Sequence, residues 1–145
     1  MSGKKNIEVS VDHNFHLKNQ KVMDEWESRR SNGYKKYRQE WYNNPKNNLL
    51  NDFPIHLDIE ATSACNFLCT MCPRTEMMEK KTFWKVENFD MKSYENIITT
   101  GVPLGLKSVK FQYLGEPLVN KHLVKMIKFA KKAGVVDVMF NTNAS

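Results

Sequence analysis

Three cysteines, Cys65, Cys69 and Cys72, fall within eight residues of a 145-residue chain and are the only ones it has. A disulfide framework spreads its cysteines to join distant loops and consumes them in pairs, so an odd, clustered set reads as metal ligands. The spacing is C-x3-C-x2-C. A short loop of this kind lets several thiolates converge on neighbouring soft irons. The count matters as much as the spacing. Three thiolates on a four-iron cluster leave one iron without a protein ligand and open to a substrate, whereas a structural zinc site closes with four ligands. The nearest histidine, His56, has no local spacing that would complete a Cys3His zinc site. A redox pair made of Cys69 and Cys72 would leave Cys65 unexplained.

The segment TSACNFLCTMCPR, following a strand pattern, resembles the signature loop of radical S-adenosylmethionine enzymes. In that family three cysteines hold three irons of a 4Fe-4S cluster and the fourth iron takes the amino and carboxylate groups of the methionine moiety. One electron then cleaves the sulfonium to a 5′-deoxyadenosyl radical, which abstracts hydrogen from substrate. Met71 stands where the family often has an aromatic residue whose backbone lies near the adenine. Further on, Tyr113-Leu114-Gly115-Glu116-Pro117 resembles the family's Gly-Gly-Glu motif in its Gly-Glu-Pro form, with Leu114 in place of the first glycine. That motif meets the amino group of S-adenosylmethionine in relatives. Glycine lets backbone approach a ligand closely, and a carbonyl or carboxylate accepts from an ammonium. Asn141-Thr142-Asn143-Ala144 resembles the Thr-Asn-Gly turn that ends the third strand in relatives with an extra C-terminal cluster domain, Ala144 replacing glycine.

The resemblance therefore implies Cys65, Cys69 and Cys72 as metal ligands, and Met71, Gly115, Glu116, Pro117 and Asn143 as cofactor-binding residues. It implies a 4Fe-4S cluster and S-adenosyl-L-methionine as cofactors, an electron donor such as flavodoxin or ferredoxin, and a peptide or small metabolite as the unidentified substrate. Asn143 either reaches the ribose or substrate or caps a following helix. Asp58 and Glu60 are read as solvated or salt-bridged carboxylates. Arg74 is read either as balancing the cluster's charge or binding an anionic substrate, or as an exposed loop arginine.

The elements that must position these residues follow from periodicity. Residues 1–20 are polar and aperiodic, predicting extended or loosely ordered chain. The spacing of Met23, Trp26 and Arg30, and then of Tyr34, Tyr37 and Trp41, predicts helix over about 21–42 with a break at Gly33. The turn-rich NNPKNNLLND predicts a connector, dividing the chain into an N-terminal extension, 1–52, and a main domain, 53–145. Ile55, Leu57, Ile59 and Ala61 alternate with His56, Asp58 and Glu60, the two-residue repeat of a strand. Either its polar side faces a ligand cavity in a parallel sheet, or it is an antiparallel edge facing water. Asp90 is placed to cap a helix over 91–100, ended by Gly101, Pro103 and Gly105. A second strand is predicted over 108–114, with Val109, Phe111 and Tyr113 on one face. Asn120 is placed to cap a helix over 122–133 that Gly134 terminates, and 135–140 reads as a third strand.

This strand–helix alternation predicts an α/β fold with right-handed crossovers and a parallel sheet, with ligand sites at the C-terminal ends of the strands. All three motifs sit at such ends. The fold expected is the first part of a TIM-like radical S-adenosylmethionine barrel, preceded by a helical extension. A closed eight-fold barrel needs about 200 residues or more, so the sequence reads as the N-terminal portion of a longer protein, of the type with a SPASM-like auxiliary-cluster domain.

Composition sets the remaining bounds. The chain is 41% hydrophobic, 26% charged and 11% aromatic, as a globular protein is. No apolar run approaches membrane-span length and no secretory signal opens the chain, so the cytoplasm is expected and a membrane partner is not. The net charge of +6 divides evenly, ten basic against seven acidic residues over 1–54 and twelve against nine over 55–145. No basic stripe of the kind that nucleic acid requires is formed, so a nucleic-acid partner is not expected. Two alternatives stand beside the radical enzyme: a structural or regulatory zinc or Fe–S protein without S-adenosylmethionine chemistry, and an RNA-binding or RNA-modifying module built on Arg29, Arg30, Lys35, Lys36 and Arg38 with Tyr34, Tyr37 and Trp41.

Overall fold

The computed structural model of the chain describes residues 13–82 and 85–145; most of the expected loosely ordered N-terminal segment lies outside the described residues. Three strands, β1 (His56–Ile59), β2 (Ser108–Phe111) and β3 (Asp137–Phe140), form a parallel sheet in the order β1-β2-β3. Five α-helices accompany it: α1 (His13–Ser28), α2 (Asn32–Lys46), α3 (Pro73–Glu79), α4 (Met91–Gly101) and α5 (Leu123–Ala133). Adjacent parallel strands need a crossover, and α4 and α5 lie within the two.

Register sorts the side chains. Leu57, Val109 and Val138 stand abreast, as do Ile59, Phe111 and Phe140. Ile59, Val109 and Phe111 are buried with Tyr94 and Ile98 of α4 and Leu123, Met126 and Ala130 of α5. The opposite alternation carries His56, Ser108 and Asp137 in one row and Asp58, Lys110 and Met139 in the next. Parallel sheets are ordinarily apolar on both faces; this one is apolar only toward α4 and α5. That settles the choice left by β1: it is a parallel strand at one end of the sheet, with its polar residues on the face away from the core.

Local chemistry explains the helix limits. Asp90 accepts from the N–H of Ser93 and caps α4, as expected. Gly101 closes α4 where a Cβ would stand 2.6 Å from the Phe53 ring, so glycine here makes room for packing. Gly134 ends α5 at φ 106°, a left-handed cap. Asn120 accepts from the N–H of His122, one residue before α5, after a 3-10 turn at Pro117–Val119.

Several expectations are corrected. Helix begins at His13, so residues 13–20 are not extended. The break between α1 and α2 falls before Ser31 rather than at Gly33, because the Ser31 hydroxyl accepts from the N–H of Tyr34 and starts α2 there. α2 runs through Pro45, which is tolerated in its last turn, and stops at Asn47 with Asn48 at φ 53°; part of the expected connector is thus helix. α3 lies directly after Cys72, where the periodicity predicts no element. Tyr113 does not continue β2: it sits at φ 142° and is 77% exposed, because the chain turns sharply toward β1 after Gln112.

The helical extension packs at the N-terminal end of the sheet. Trp26, Tyr34, Tyr37, Trp41 and His56 make edge-to-face contacts in sequence, with centroids 5.6, 5.9, 6.1 and 5.0 Å apart. Tyr34 and Tyr37 are buried in this row, and the Arg30 guanidinium lies 3.7 Å over the Trp26 ring. Trp26 and Trp41, nearer the ends of the row, remain 40% and 37% exposed.

Truncating Phe111, fully buried at the centre of the core, to alanine should cost about 3–5 kcal/mol. Val124→Ala, at a position 61% exposed, should stay within about 0.5 kcal/mol. Urea denaturation midpoints compare the two.

Candidate functional site

The three motifs meet at the C-terminal end of the sheet, around residues 61–64. Every step of this segment is gripped by another part of the chain. The Ala61 carbonyl accepts from the N–H of Phe89 at 2.9 Å and from the buried Asn120 amide at 2.6 Å. Ser63 N–H donates to the Glu87 carbonyl at 3.0 Å, and the Ser63 carbonyl accepts from Nε of Arg74 at 3.0 Å. Arg74 is buried, only 5% exposed, so it is not a loop-surface arginine. It fastens α3 to the end of β1.

The cysteine loop runs from this segment to α3. Its thiols are free; Cys65 and Cys72 are half-buried and Cys69 is exposed. Cys72 forms the N-cap of α3 with Pro73 following, and its side chain makes no capping bond, which leaves the sulfur for another use. The Cys65 sulfur accepts from the N–H of Phe67 at 3.4 Å and faces the Asn143 amide nitrogen at 4.0 Å. Among the described residues no group of three His, Cys, Asp or Glu side chains is arranged to hold a metal ion. Tetrahedral zinc would need its sulfurs about 3.8 Å apart, from Zn–S bonds of about 2.3 Å, while a cluster binds each thiolate to a different iron and asks for a wider set. The donor set, three free thiols on an irregular loop, fits such a cluster. Met71, between Cys69 and Cys72, is 85% exposed. A cavity of about 680 Å³, lined by Leu68, Thr70, Thr75, Glu76, Met78 and Glu79, opens beside the loop.

The Gly-Glu-Pro turn lies directly against the loop. A Cβ on Gly115 would overlap the Thr62 carbonyl and stand 2.8 Å from the Ala64 carbonyl, so only glycine fits. The N–H of Glu116 donates to the Ala64 carbonyl at 2.8 Å. Glu60 completes the contact: its carboxylate accepts from the N–H groups of Leu114 and Gly115 at 3.0 and 3.3 Å. Expected as a solvated or ion-paired carboxylate, Glu60 instead anchors the turn, a role that becomes visible only when β1 and β2 are placed side by side.

Glu116 is 4% exposed and both of its oxygens are engaged. One accepts from the N–H of Leu118 at 3.0 Å, the other from the N–H of Asn143 at 2.7 Å. Burial pushes the carboxyl pKa up, but the N–H groups of Asn143 and Leu118 and the Thr142 hydroxyl outweigh it and hold the group below the usual glutamate range. Pro117 is buried behind it. Asn143 is thereby brought to the cysteine loop, and its amide also donates to Asn66 at 2.9 Å.

One feature of the site has no sequence motif. Gln112 donates to Asp58 at 2.7 Å and accepts from the Asn141 amide at 2.9 Å, a row of three polar side chains across the three strands on the face away from the core. A second cavity, about 730 Å³, runs beside β1 between Phe53 and Lys85–Asp90 and includes none of the cysteines. No family model matches the chain, and among the described residues no helix is long and apolar enough to cross a membrane.

Gly115→Ala should lower the melting temperature more than Gly134→Ala. The first meets backbone oxygen that cannot retreat, while the second meets only Val102 at 3.7 Å and bears left-handed strain of about 1–2 kcal/mol. Glu116 should stabilise the protein fully above the ordinary value of 4.5 and lose that contribution as pH falls below it through the lowered native pKa. Stability measured between neutral and acid pH should therefore fall less steeply in Glu116→Gln than in wild type.

Proposed function

We propose that this chain is a radical S-adenosylmethionine protein, its sheet the opening βα units of a TIM-like barrel and its cysteine loop the holder of a 4Fe-4S cluster. The observation that carries the reading is the backbone contact between the cysteine loop and the Gly-Glu-Pro turn. Two segments 50 residues apart in sequence, each resembling a motif of one family, are joined by the Glu116–Ala64 hydrogen bond and by a glycine that has no room for a side chain. Such strand ends are where α/β sheets bind ligands.

Cys65, Cys69 and Cys72 would hold three irons. Met71, Gly115, Glu116, Pro117 and Asn143 would border the S-adenosylmethionine subsite. When bound, the cluster supplies the single electron that splits the C5′–S bond into methionine and a 5′-deoxyadenosyl radical, which takes a hydrogen atom from substrate. The chain's own contribution is positional. Arg74 and Asn120 fix the two sides of residues 61–64, Gly115 admits close backbone approach, and Glu60 sets the turn. The polar row of Asp58, Gln112 and Asn141 offers hydrogen-bonding groups toward a substrate on the same face of the sheet. A flavodoxin or ferredoxin in the cytoplasm would supply the electron, and a peptide or small metabolite would be the substrate.

Anaerobic reconstitution should give brown protein with about four irons per chain, and S-adenosylmethionine should perturb the electron paramagnetic resonance of the reduced cluster. Single Cys→Ala changes at 65, 69 or 72 should each abolish that signal. Colourless protein holding one zinc would refute the assignment.

A further inference from the structure

We propose that Asn143 is a positioning residue for the cluster, its side-chain amide donating to the Cys65 thiolate, and that Glu116 acts through Asn143 rather than on a bound ligand. The inference rests on the cluster reading above and assigns to these two residues a task different from contact with S-adenosylmethionine.

The geometry behind it is a closed ring of contacts. The Ala64 carbonyl accepts from the N–H of Glu116, the Glu116 carboxylate accepts from the N–H of Asn143, and the Asn143 amide reaches back to the sulfur of Cys65, the residue next to Ala64. One residue from each of the three strand ends is thus tied into one loop. Glu116 is buried, and each of its oxygens already takes a backbone N–H. Its carboxylate is spent inside the fold.

The orientation of the Asn143 amide follows from its other partners. Its oxygen accepts from the N–H of Ser145 at 3.2 Å and from the Ser145 hydroxyl at 3.1 Å. A flipped amide would set NH2 against that backbone N–H, two donors facing each other. The NH2 group therefore points toward Cys65 and Asn66, with one hydrogen for the sulfur at 4.0 Å and one for the Asn66 carbonyl oxygen at 2.9 Å. Together with the N–H of Phe67 at 3.4 Å, Cys65 has two donors aimed at it. Donors to a ligating sulfur draw off electron density and make a cluster easier to reduce. Asn143 would accordingly raise the potential, and Glu116 would do so at second hand by holding the Asn143 backbone in place.

The test is a dye-mediated potentiometric titration of the reconstituted full chain, followed by electron paramagnetic resonance, for wild type, Asn143→Ala, Asn143→Asp, Glu116→Gln and the Glu116→Gln/Asn143→Ala double variant. Asn143→Asp keeps the side-chain shape but replaces the donor with an acceptor and adds a negative charge, so its shift should exceed that of Asn143→Ala. Iron content and melting temperature are read in parallel, because a residue that only supports the fold would change those and leave the potential alone. The expected result is a shift to more negative potential in Asn143→Ala at wild-type iron content, and a smaller shift when Asn143→Ala is added to Glu116→Gln than when it is added to wild type, as two residues acting through one contact require; the charge removed by Glu116→Gln cancels in that comparison. A cluster that loads normally but whose potential ignores Asn143→Ala overturns the inference and leaves the cluster reading standing. Additive shifts in the double variant overturn the assignment of Glu116. Wild-type chain that takes up no iron overturns the reading itself, and the inference with it.

Discussion

The four residues 61–64 are the point on which the rest of the site depends. Their backbone is gripped by Phe89 and Asn120 at Ala61, by Glu87 and Arg74 at Ser63, and by Glu116 at Ala64, while Gly115 presses on Thr62. A chain leaving a strand normally turns to water for its hydrogen bonds. Here the groups after β1 are satisfied by partners from four distant parts of the chain. The cysteine loop is irregular along its length, so its first residue inherits its position from this anchorage.

The division of labour between the two faces of the sheet follows from the same need. Stability comes from the apolar alternation, where Ile59, Val109 and Phe111 meet Tyr94, Ile98 and Met126. The other alternation is polar and is held in order by lateral hydrogen bonds: His56 Nδ1 with the Ser108 hydroxyl at 2.9 Å near the start of the strands, Asp58–Gln112–Asn141 near their ends. The helical extension occupies the N-terminal end of the sheet through Trp41 and His56, leaving the opposite end to the cysteine loop and the Gly-Glu-Pro turn. Its arginines belong to this packing too, since Arg38 bonds Glu27 and Tyr42 and Arg30 covers Trp26.

Much of the architecture was legible because it is locally encoded. Asp90 as a cap, Gly134 as a terminator and the period-two strands all depend on residues near one another in sequence. Errors arose where a distant partner overrode local pattern. Tyr113 continues the alternation of β2, yet the chain turns at that point to bring Gly115 onto Thr62. Glu60 reads as a solvated or salt-bridged carboxylate and the place of Arg74 stays open, because nothing near them in sequence reveals that one would hold the Gly-Glu-Pro turn and the other the Ser63 carbonyl. Pro45 and the asparagines around it read as a connector, yet the helix carries through the proline and ends only on Asn47 and Asn48.

For the three cysteines, the sequence alone determined their number and their spacing on a short loop. It also determined that glycine and glutamate follow the second strand. Only the tertiary structure decided that these segments touch, that Gly115 is required by a carbonyl across the strand gap, and that Glu116 turns inward to Asn143 rather than outward. Contacts between residues 50 to 80 positions apart depend on how the sheet orders its strands, and one-dimensional spacing carries no record of that order.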